Sequence, residues 1–413
     1  MEMNQILTNM KRVQNCIEEL FALAPDSGGG ARRLAYSPEE ARAMLLVAEW
    51  IEDAGLSARL DEFGNLWGLP PGKGPFVTSG SHVDTVPNGG RHDGALGTVL
   101  AIEAAENLSG PFGVLVCAAE EGARFGAGTI GSRSLVGKLS DGNLEEMRDS
   151  EGISVAQARE EFLPLLAAIP SVEGSDPLSR LAGHAEIHIE QRRDLKKKGA
   201  SLGIATAIAG PMRYQLRFTG VTAHSGETPV EDRRDALCAA AETVLLAERL
   251  TRDEASTVVT ASTMQVHPNS LTAIPGEVTL GVDVRGADAK EAERIVSELF
   301  DGSEAASEKR GVELSAQTLS FTKPVALDER TVDLAEAVCR GFGLPASRCV
   351  SLAGHDVQHL AELVPAMLFF TPSTNGVSHA PEESVDWQDV ESALEILVRF
   401  LPELGRLHKE SGR

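Results

Sequence analysis

The 413-residue chain reads as an α/β protein, one mixed helix-covered sheet interrupted by a smaller inserted unit. Three observations carry that reading. A strand, a helix and a second strand succeed one another between Phe76 and Ala119, and the second is apolar throughout, as strands buried on both faces are. At Gly210 the pattern changes to the period-two alternation of a half-buried sheet. Near Pro324 the alternation of helices and strands returns.

Each element follows from local chemistry. Ile6, Met10, Val13, Ile17, Leu20 and Phe21 recur at helical spacing. Ser37, Pro38 and Glu40 supply an N-cap, a proline at the first helical position and a capping-box carboxylate, and Gly55 ends the helix they open. Strands are predicted over 76–81 and 113–119, with a helix over 94–108 between them, and 186–191 is a further, alternating strand. From Gly210, Met212, Tyr214, Leu216 and Phe218 alternate with Arg213, Gln215 and Arg217. A helix over 234–250, strands over 258–266 and 277–285, a helix with Ala292, Ile295, Val296 and Leu299 on one face, and a strand over 312–319 follow. This β-α-β-β-α-β order is that of a ferredoxin-like unit. A helix over 331–342, a strand over 366–370 and a helix over 387–402 resume the first sheet. The expected division is therefore 1–209 with 325–413 for the sheet domain and 210–324 for the insert. The Gly-rich stretch 27–30 and the polar stretch 302–310 are the expected mobile segments.

Composition excludes several classes of function. A net charge of −23, from 38 Lys+Arg against 61 Asp+Glu, leaves no basic footprint for nucleic acid or an anionic membrane. No apolar run approaches the ~18 residues of a membrane span. The opening Met1-Glu2-Met3-Asn4-Gln5 lacks the basic and apolar regions of a secretory signal. Cys16, Cys117, Cys238, Cys339 and Cys349 are odd in number, scattered and never in a C-x-x-C, so they read as reduced thiols of a cytoplasmic protein.

The chemistry gathers where strands end. His82 stands just past the carboxyl end of the first strand, where open α/β sheets bind ligands. Asp84, two residues on, can accept the other imidazole N–H and so fix the tautomer of a metal-bound histidine. Asp93 precedes the helix beginning at Gly94, near a positive helix end, and could bridge two cations. The next strand delivers Glu120 and Glu121, adjacent carboxylates that point apart, so that one can bind metal while the other faces its water as a general base. His188 and His379 are the best remaining ligand candidates, whereas His184, His359 and His408 read as surface or core residues and Cys117 as apolar filler.

At this point the residues resemble a known family. G-S-H-V-D-T-V-P, G-G-x-x-D-G-x-L-G, E-E-G-x-R-F, H-I-E-Q, A-H-S-G-x-T-P, P-N-S, I-P-G and S-H-A-P-E occur in order between Gly80 and Glu382, within a resemblance that runs from about 33 to 401. That series is similar to the N-carbamoyl-amino-acid amidohydrolases (carbamoylases), a group that also holds β-ureidopropionases and allantoate amidohydrolases. The resemblance implies two divalent metal ions per subunit (Zn, Mn, Co or Ni) bridged by Asp93, one completed by His82 and His188, the other by Glu121 and His379. It implies Glu120 as general base, Asp84 orienting His82, and His224 polarising the scissile carbonyl across the interface of a homodimer. It gives the insert a lid and dimerisation role. It assigns Arg285 to the substrate carboxylate, and Gln191, Thr272, Gly354 and Asp356 to the substrate side.

Four departures leave the implied ligands and base in place and bear on the substrate, His92 on the metal or the substrate pocket. Thr272 replaces the family asparagine before Ile274-Pro275-Gly276; Arg192-Arg193-Asp194 replace the usual Gly-Pro after Gln191; His92 replaces an aromatic beside Asp93; and Val230-Glu231-Asp232 depart from the pattern after Thr228-Pro229. The expected activity is hydrolysis of a linear C–N bond in an N-carbamoyl (ureido) amino acid or related small carboxylate. The alternatives are an N-acyl-amino-acid deacylase or dipeptidase acting on an ordinary amide and, in another class, a catalytically silent metal- or ligand-binding protein.

Overall fold

The computed structural model describes residues 9–172, 176–253 and 256–410; Ile6 of the first predicted helix lies outside them. The chain divides into two compact units. The larger takes the residues up to Thr206, Leu327–Cys349 and those from His355 onward; the smaller takes Ala207–Ala326 and Val350–Gly354.

In the larger unit a mixed sheet runs in the order Ser57–Leu60, Leu66–Leu69, Phe112–Val116, Phe76–Ser79, Leu181–Ile189, Ala366–Thr371 and Leu202–Ile208. The four strands from Phe112–Val116 to Ala366–Thr371 are mutually parallel, so their carboxyl ends open along one edge. Antiparallel strands flank them on both sides. Helix Ala95–Asn107 is buried almost all round, in keeping with its largely apolar sequence, and takes Thr98 and Glu103 with it. It packs on Phe112–Val116 and Leu181–Ile189, and the long helix Trp387–Glu410 packs beside it. No helix among the described residues is long and apolar enough to cross a membrane.

Several sequence expectations change in detail. Segment 186–191, read as an alternating strand, contributes 186–189 to the end of Leu181–Ile189, which is buried at every position. Its polar face needs no water because protein groups satisfy it: His184 meets Thr78 Oγ1 at 2.9 Å and Glu186 accepts from Ser81 Oγ at 2.7 Å. The capping box at Ser37 is half formed. Ser37 Oγ accepts from Glu40 N, but the Glu40 carboxylate accepts from Tyr36 N and from Ala119 N instead of closing on Ser37. Stretch 27–30, expected to be mobile, is tied down, with Gly30 N on Asn88 Oδ1 and Ala31 N on the Gly89 carbonyl. Much of 302–310 belongs to helix Ala289–Glu308, where the small, buried Ser303 and Ser307 donate to backbone carbonyls one turn back.

The smaller unit is a four-stranded antiparallel sheet in the order Glu313–Phe321, Gly210–Thr219, Glu277–Gly286, Thr257–His267. Helices Ala236–Asp253 and Ala289–Glu308 complete the β-α-β-β-α-β chain order. Met212, Leu216, Phe218, Val278, Leu280, Val282 and Val284 form its core with Ile295 and Leu299. Strict alternation along Glu277–Gly286 leaves Arg285 on the face away from that core.

Candidate metal centre

Three loops and one strand end at the carboxyl edge of the parallel strands bring the predicted ligands together. His82 follows Phe76–Ser79, Glu120 and Glu121 follow Phe112–Val116, His188 ends Leu181–Ile189, and His379 lies in the loop after Ala366–Thr371. Asp93 enters just before Gly94, the N-cap of Ala95–Asn107. That N-cap must be glycine. Its φ is +66°, and a Cβ there would strike the His82 imidazole.

Two donor sets share Asp93. His82, Asp93 and His188 form one, and Asp93, Glu121 and His379 the other, each with its ligand atoms within 4.8 Å of one another. Asp93 Oδ1 lies 2.9 Å from His188 Nε2 and 3.7 Å from His82 Nε2, while Oδ2 lies 3.2 Å from His379 Nε2. His82 Nε2 is buried and makes no hydrogen bond among the described residues, an arrangement that a bound cation would satisfy. The nitrogen and carboxylate donors without thiolate fit divalent Zn, Mn, Co or Ni. A third group, Glu186, His188 and His355, is no separate centre. Ser81 Oγ and Val357 N occupy the Glu186 oxygens, and His188 faces Asp93 through Nε2 and the Ile189 carbonyl through Nδ1.

The electrostatics favour positive charge here. Burial opposes the charged form of His82, yet Glu120, Asp84 and Asp93 outweigh it and push its pKa well up. Burial would also raise Asp93, but His188, His379 and His82 hold it well below the usual carboxylate range. The hydrogen bond to Asp93 lifts His379 to about 9. Glu121 is pushed up to about 7 by burial and then by Asp93. Such a cluster of buried carboxylates around imidazoles is stabilised by cations.

The adjacent carboxylates have different neighbours. Glu121 Oε1 faces His379 Nε2 at 3.5 Å, whereas Glu120 Oε2 faces His82 Nε2 at 3.6 Å. Burial drives Glu120 well above the ordinary glutamate pKa, against the pull of His82. Asp84 Oδ1 lies 3.3 Å from His82 Nδ1, which hydrogen-bonds the Asp84 main-chain carbonyl at 3.2 Å. The two Asp84 carboxylate oxygens accept from Glu120 N at 3.1 Å and Glu121 N at 2.9 Å. One buried residue therefore ties His82 to the backbone that carries Glu120 and Glu121.

Other residues acquire roles that no motif reveals. Glu383 is buried and accepts from His92 N at 2.6 Å and Asp93 N at 3.0 Å. Ser378 Oγ donates to Asp93 Oδ2 at 2.8 Å, so the His379 loop and the Asp93 loop brace each other. Arg33, almost fully buried, donates to the Val83 and Leu20 carbonyls and supports the loop between His82 and Thr85. The only sequence signal for Glu383 is its place one residue beyond S-H-A-P-E. Of the departures, His92 is buried edge-on against Trp387 at 5.8 Å, Arg193 donates through Nε to the Asn375 carbonyl, and Arg192 lies 3.7 Å from Asp194 on the surface.

The substrate-side candidates are divided. In the larger unit, Gln191 Nε2 reaches Asp93 Oδ2 at 3.4 Å, and Asp356 is buried and accepts from Ser132 Oγ at 2.5 Å. His224, Thr272, Arg285 and Gly354 belong to the smaller unit. His224 Nδ1 accepts from both Gly226 N and Glu227 N at 3.1 Å, which assigns the ring proton to Nε2. Its strand Ala223–His224 pairs with Ala273–Ile274, and Ser225 N donates to the Thr272 carbonyl. Arg285 Nε donates to Asp283 at 2.7 Å and Nη1 to the Leu352 carbonyl at 3.3 Å.

Known proteins resemble the chain along its whole length. The model of peptidase family M20/M25/M40 matches residues 79–403. An N-carbamoyl-L-amino acid amidohydrolase of Geobacillus stearothermophilus is 33% identical over 412 residues, covering 96% of this chain and 98% of that protein. An allantoate amidohydrolase of Bacillus subtilis is 31% identical, covering 97% and 99%. The crystal structure of a hydantoinase/carbamoylase family amidase from Burkholderia multivorans superposes with a TM-score of 0.86 at 30% identity, covering 97% and 98%.

Proposed function

The chain belongs to peptidase family M20/M25/M40 and to its amidohydrolases, hydrolases of C–N bonds other than peptide bonds, and from that premise we propose that it hydrolyses the ureido C–N bond of an N-carbamoyl amino acid or a related small ureido carboxylate. The observation that carries this reading is the double donor set sharing Asp93 with Glu120 beside it. His82, Asp93 and His188 would hold one divalent ion, and Asp93, Glu121 and His379 the other. Bound there, such ions supply acidity to water and polarise a carbonyl.

The protein's own groups supply the proton chemistry. Glu120 takes the proton of the attacking water and returns it to the leaving nitrogen. Its burial raises its basicity toward the range that such a shuttle needs. His224, with its proton held on Nε2, donates a hydrogen bond to the carbonyl oxygen as negative charge develops. Arg285 receives the substrate carboxylate on its terminal nitrogens, since Asp283 takes the Nε edge. Gln191, Thr272, Gly354 and Asp356 border the substrate. The larger unit forms the catalytic domain, and the ferredoxin-like insert, widened from the expected 210–324 to Ala207–Ala326 with Val350–Gly354, serves as lid and dimerisation domain, delivering His224 to the partner's site in a cytoplasmic homodimer. Cleavage of an N-carbamoyl amino acid would release the free amino acid and carbamate, which decomposes to carbon dioxide and ammonia.

The second reading, an N-acyl-amino-acid deacylase, is favoured by one observation, the hydroxyl of Thr272 where the family has an amide. Glu120→Gln tests the mechanism. The variant should fold and retain metal while turnover falls ~10²–10⁴-fold, the contribution typical of a positioned acid–base group; undiminished turnover would reject Glu120 as base.

A further inference from the structure

Segment 118–121, which delivers Glu120, has its N–H groups held by side chains from distant parts of the chain and its carbonyls held by the backbone of 129–131. Its successive N–H groups donate to Asn65 Oδ1 at 3.0 Å, Glu40 Oε1 at 3.0 Å and the two Asp84 oxygens at 3.1 and 2.9 Å. Its carbonyls, from Ala118 to Glu120, accept from Gly131 N, Ile130 N and Thr129 N. Within this cradle Ala119 holds φ at +55°, in the left-handed region that a Cβ disfavours. Tyr36, the other residue whose N–H Glu40 accepts, holds φ at +52°. One buried carboxylate thus braces two strained non-glycine residues, and such strain persists only where the surroundings over-determine it.

We infer that Glu40 is a positioning residue for the base: by holding Ala119 N–H it fixes the turn from which Glu120 projects. The inference rests on Glu120 being the base. A purely structural reading of Glu40 would assign it to the cap of helix Pro38–Asp53, but its carboxylate bypasses Ser37 N, the group a capping box would engage. Glu40 makes no hydrogen bond to either donor set among the described residues, and Asp84 holds the Glu121 N–H separately, so its removal should act on turnover more than on metal binding. It also lies outside the stretch that the family model matches.

The test compares Glu40→Ala, Glu40→Gln, Ser37→Ala and Glu120→Gln in the full-length, metal-loaded protein. Ser37→Ala weakens the same helix, at its N-cap, without touching 118–121. The readouts are kcat and KM on whichever of N-carbamoyl-L-alanine and allantoate is turned over, metal per chain, Tm, and amide exchange of the peptide spanning 118–121. Both Glu40 variants should lose ~10–100-fold in kcat, the scale of a small misplacement of a reacting group. Their KM and metal content should stay within about twofold of the parent while exchange at 118–121 rises. Ser37→Ala should lower Tm and leave kcat unchanged. If Glu40→Ala does not fold, Glu40→Gln, which keeps the volume and one acceptor, carries the test. Unchanged kcat in the Glu40 variants beside an inactive Glu120→Gln overturns the inference alone, as does loss of kcat in step with loss of metal. A Glu120→Gln protein with full turnover overturns the base assignment and this inference with it.

Discussion

Replacing Asp84 with asparagine removes one oxygen and one charge from a fully buried site. The carboxylate accepts from two donors, Glu120 N at 3.1 Å and Glu121 N at 2.9 Å, and its Oδ1 lies 3.3 Å from His82 Nδ1, which hydrogen-bonds the Asp84 main-chain carbonyl. The amide keeps one acceptor, and its NH₂ must face an N–H whichever way it turns, so at least one buried donor goes unpaired. That costs about 1–3 kcal/mol of folding free energy. Loss of the charged partner behind a ligating histidine typically costs 10–100-fold in metal affinity, about 1.4–2.7 kcal/mol. Competition with a chromophoric chelator reads the affinity, and urea unfolding reads the stability. Metal affinity within twofold of the parent and an unshifted unfolding midpoint would refute the claim that Asp84 couples His82 to the Glu120–Glu121 backbone.

Three further outcomes follow from the same geometry. His379→Ala should abolish one of two metal-binding events and spare the other, because His82 and His188 serve only the first donor set; calorimetry that still resolves two events of parental affinity would contradict this. Arg285→Ala should raise KM about tenfold or more through loss of a charge-assisted pair, with a smaller effect on kcat, measured by steady-state kinetics. Metal affinity should weaken as pH falls from about 9 toward 7, since pairing with Asp93 draws the His379 pKa up to about 9 and protons then compete for Nε2. Affinities titrated across that range check the slope.

What the sequence makes legible are residues whose chemistry is local. His82, Asp84, Glu120 and Glu121 stand within a few residues of apolar strands, so the strands point to them. The alternation from Met212 to Phe218 marks the second unit for the same reason. Residues whose partners are remote stay hidden: Ala119 N finds Glu40 79 residues upstream, Ala118 N finds Asn65 53 residues upstream, and Asp93 N finds Glu383 290 residues downstream. Glu40 even carries a sufficient local explanation, as a capping residue, which conceals its reach. The polar face of Leu181–Ile189 misleads in a related way. Alternation implies solvent on one face unless buried polar groups satisfy it, and here Thr78, Ser81 and Asp93 do. The stretch 302–310 looks like a loop by composition, yet Ser303 and Ser307 are small enough to pack and bond back along their own helix.

The central claim is metal-dependent cleavage of a ureido C–N bond, and paired substrates test it most directly. Purified protein, stripped by chelator and then reloaded with Mn, Co, Ni or Zn, is assayed on ureido substrates (N-carbamoyl amino acids and allantoate) and on the matching N-acetyl amino acids, with ammonia and free amino acid both measured. The account predicts ammonia release from a ureido substrate that chelator abolishes and metal restores, with little hydrolysis of the acetyl compounds. Efficient release of free amino acid from the acetyl series without ammonia from any ureido compound, or activity indifferent to chelator, would contradict it.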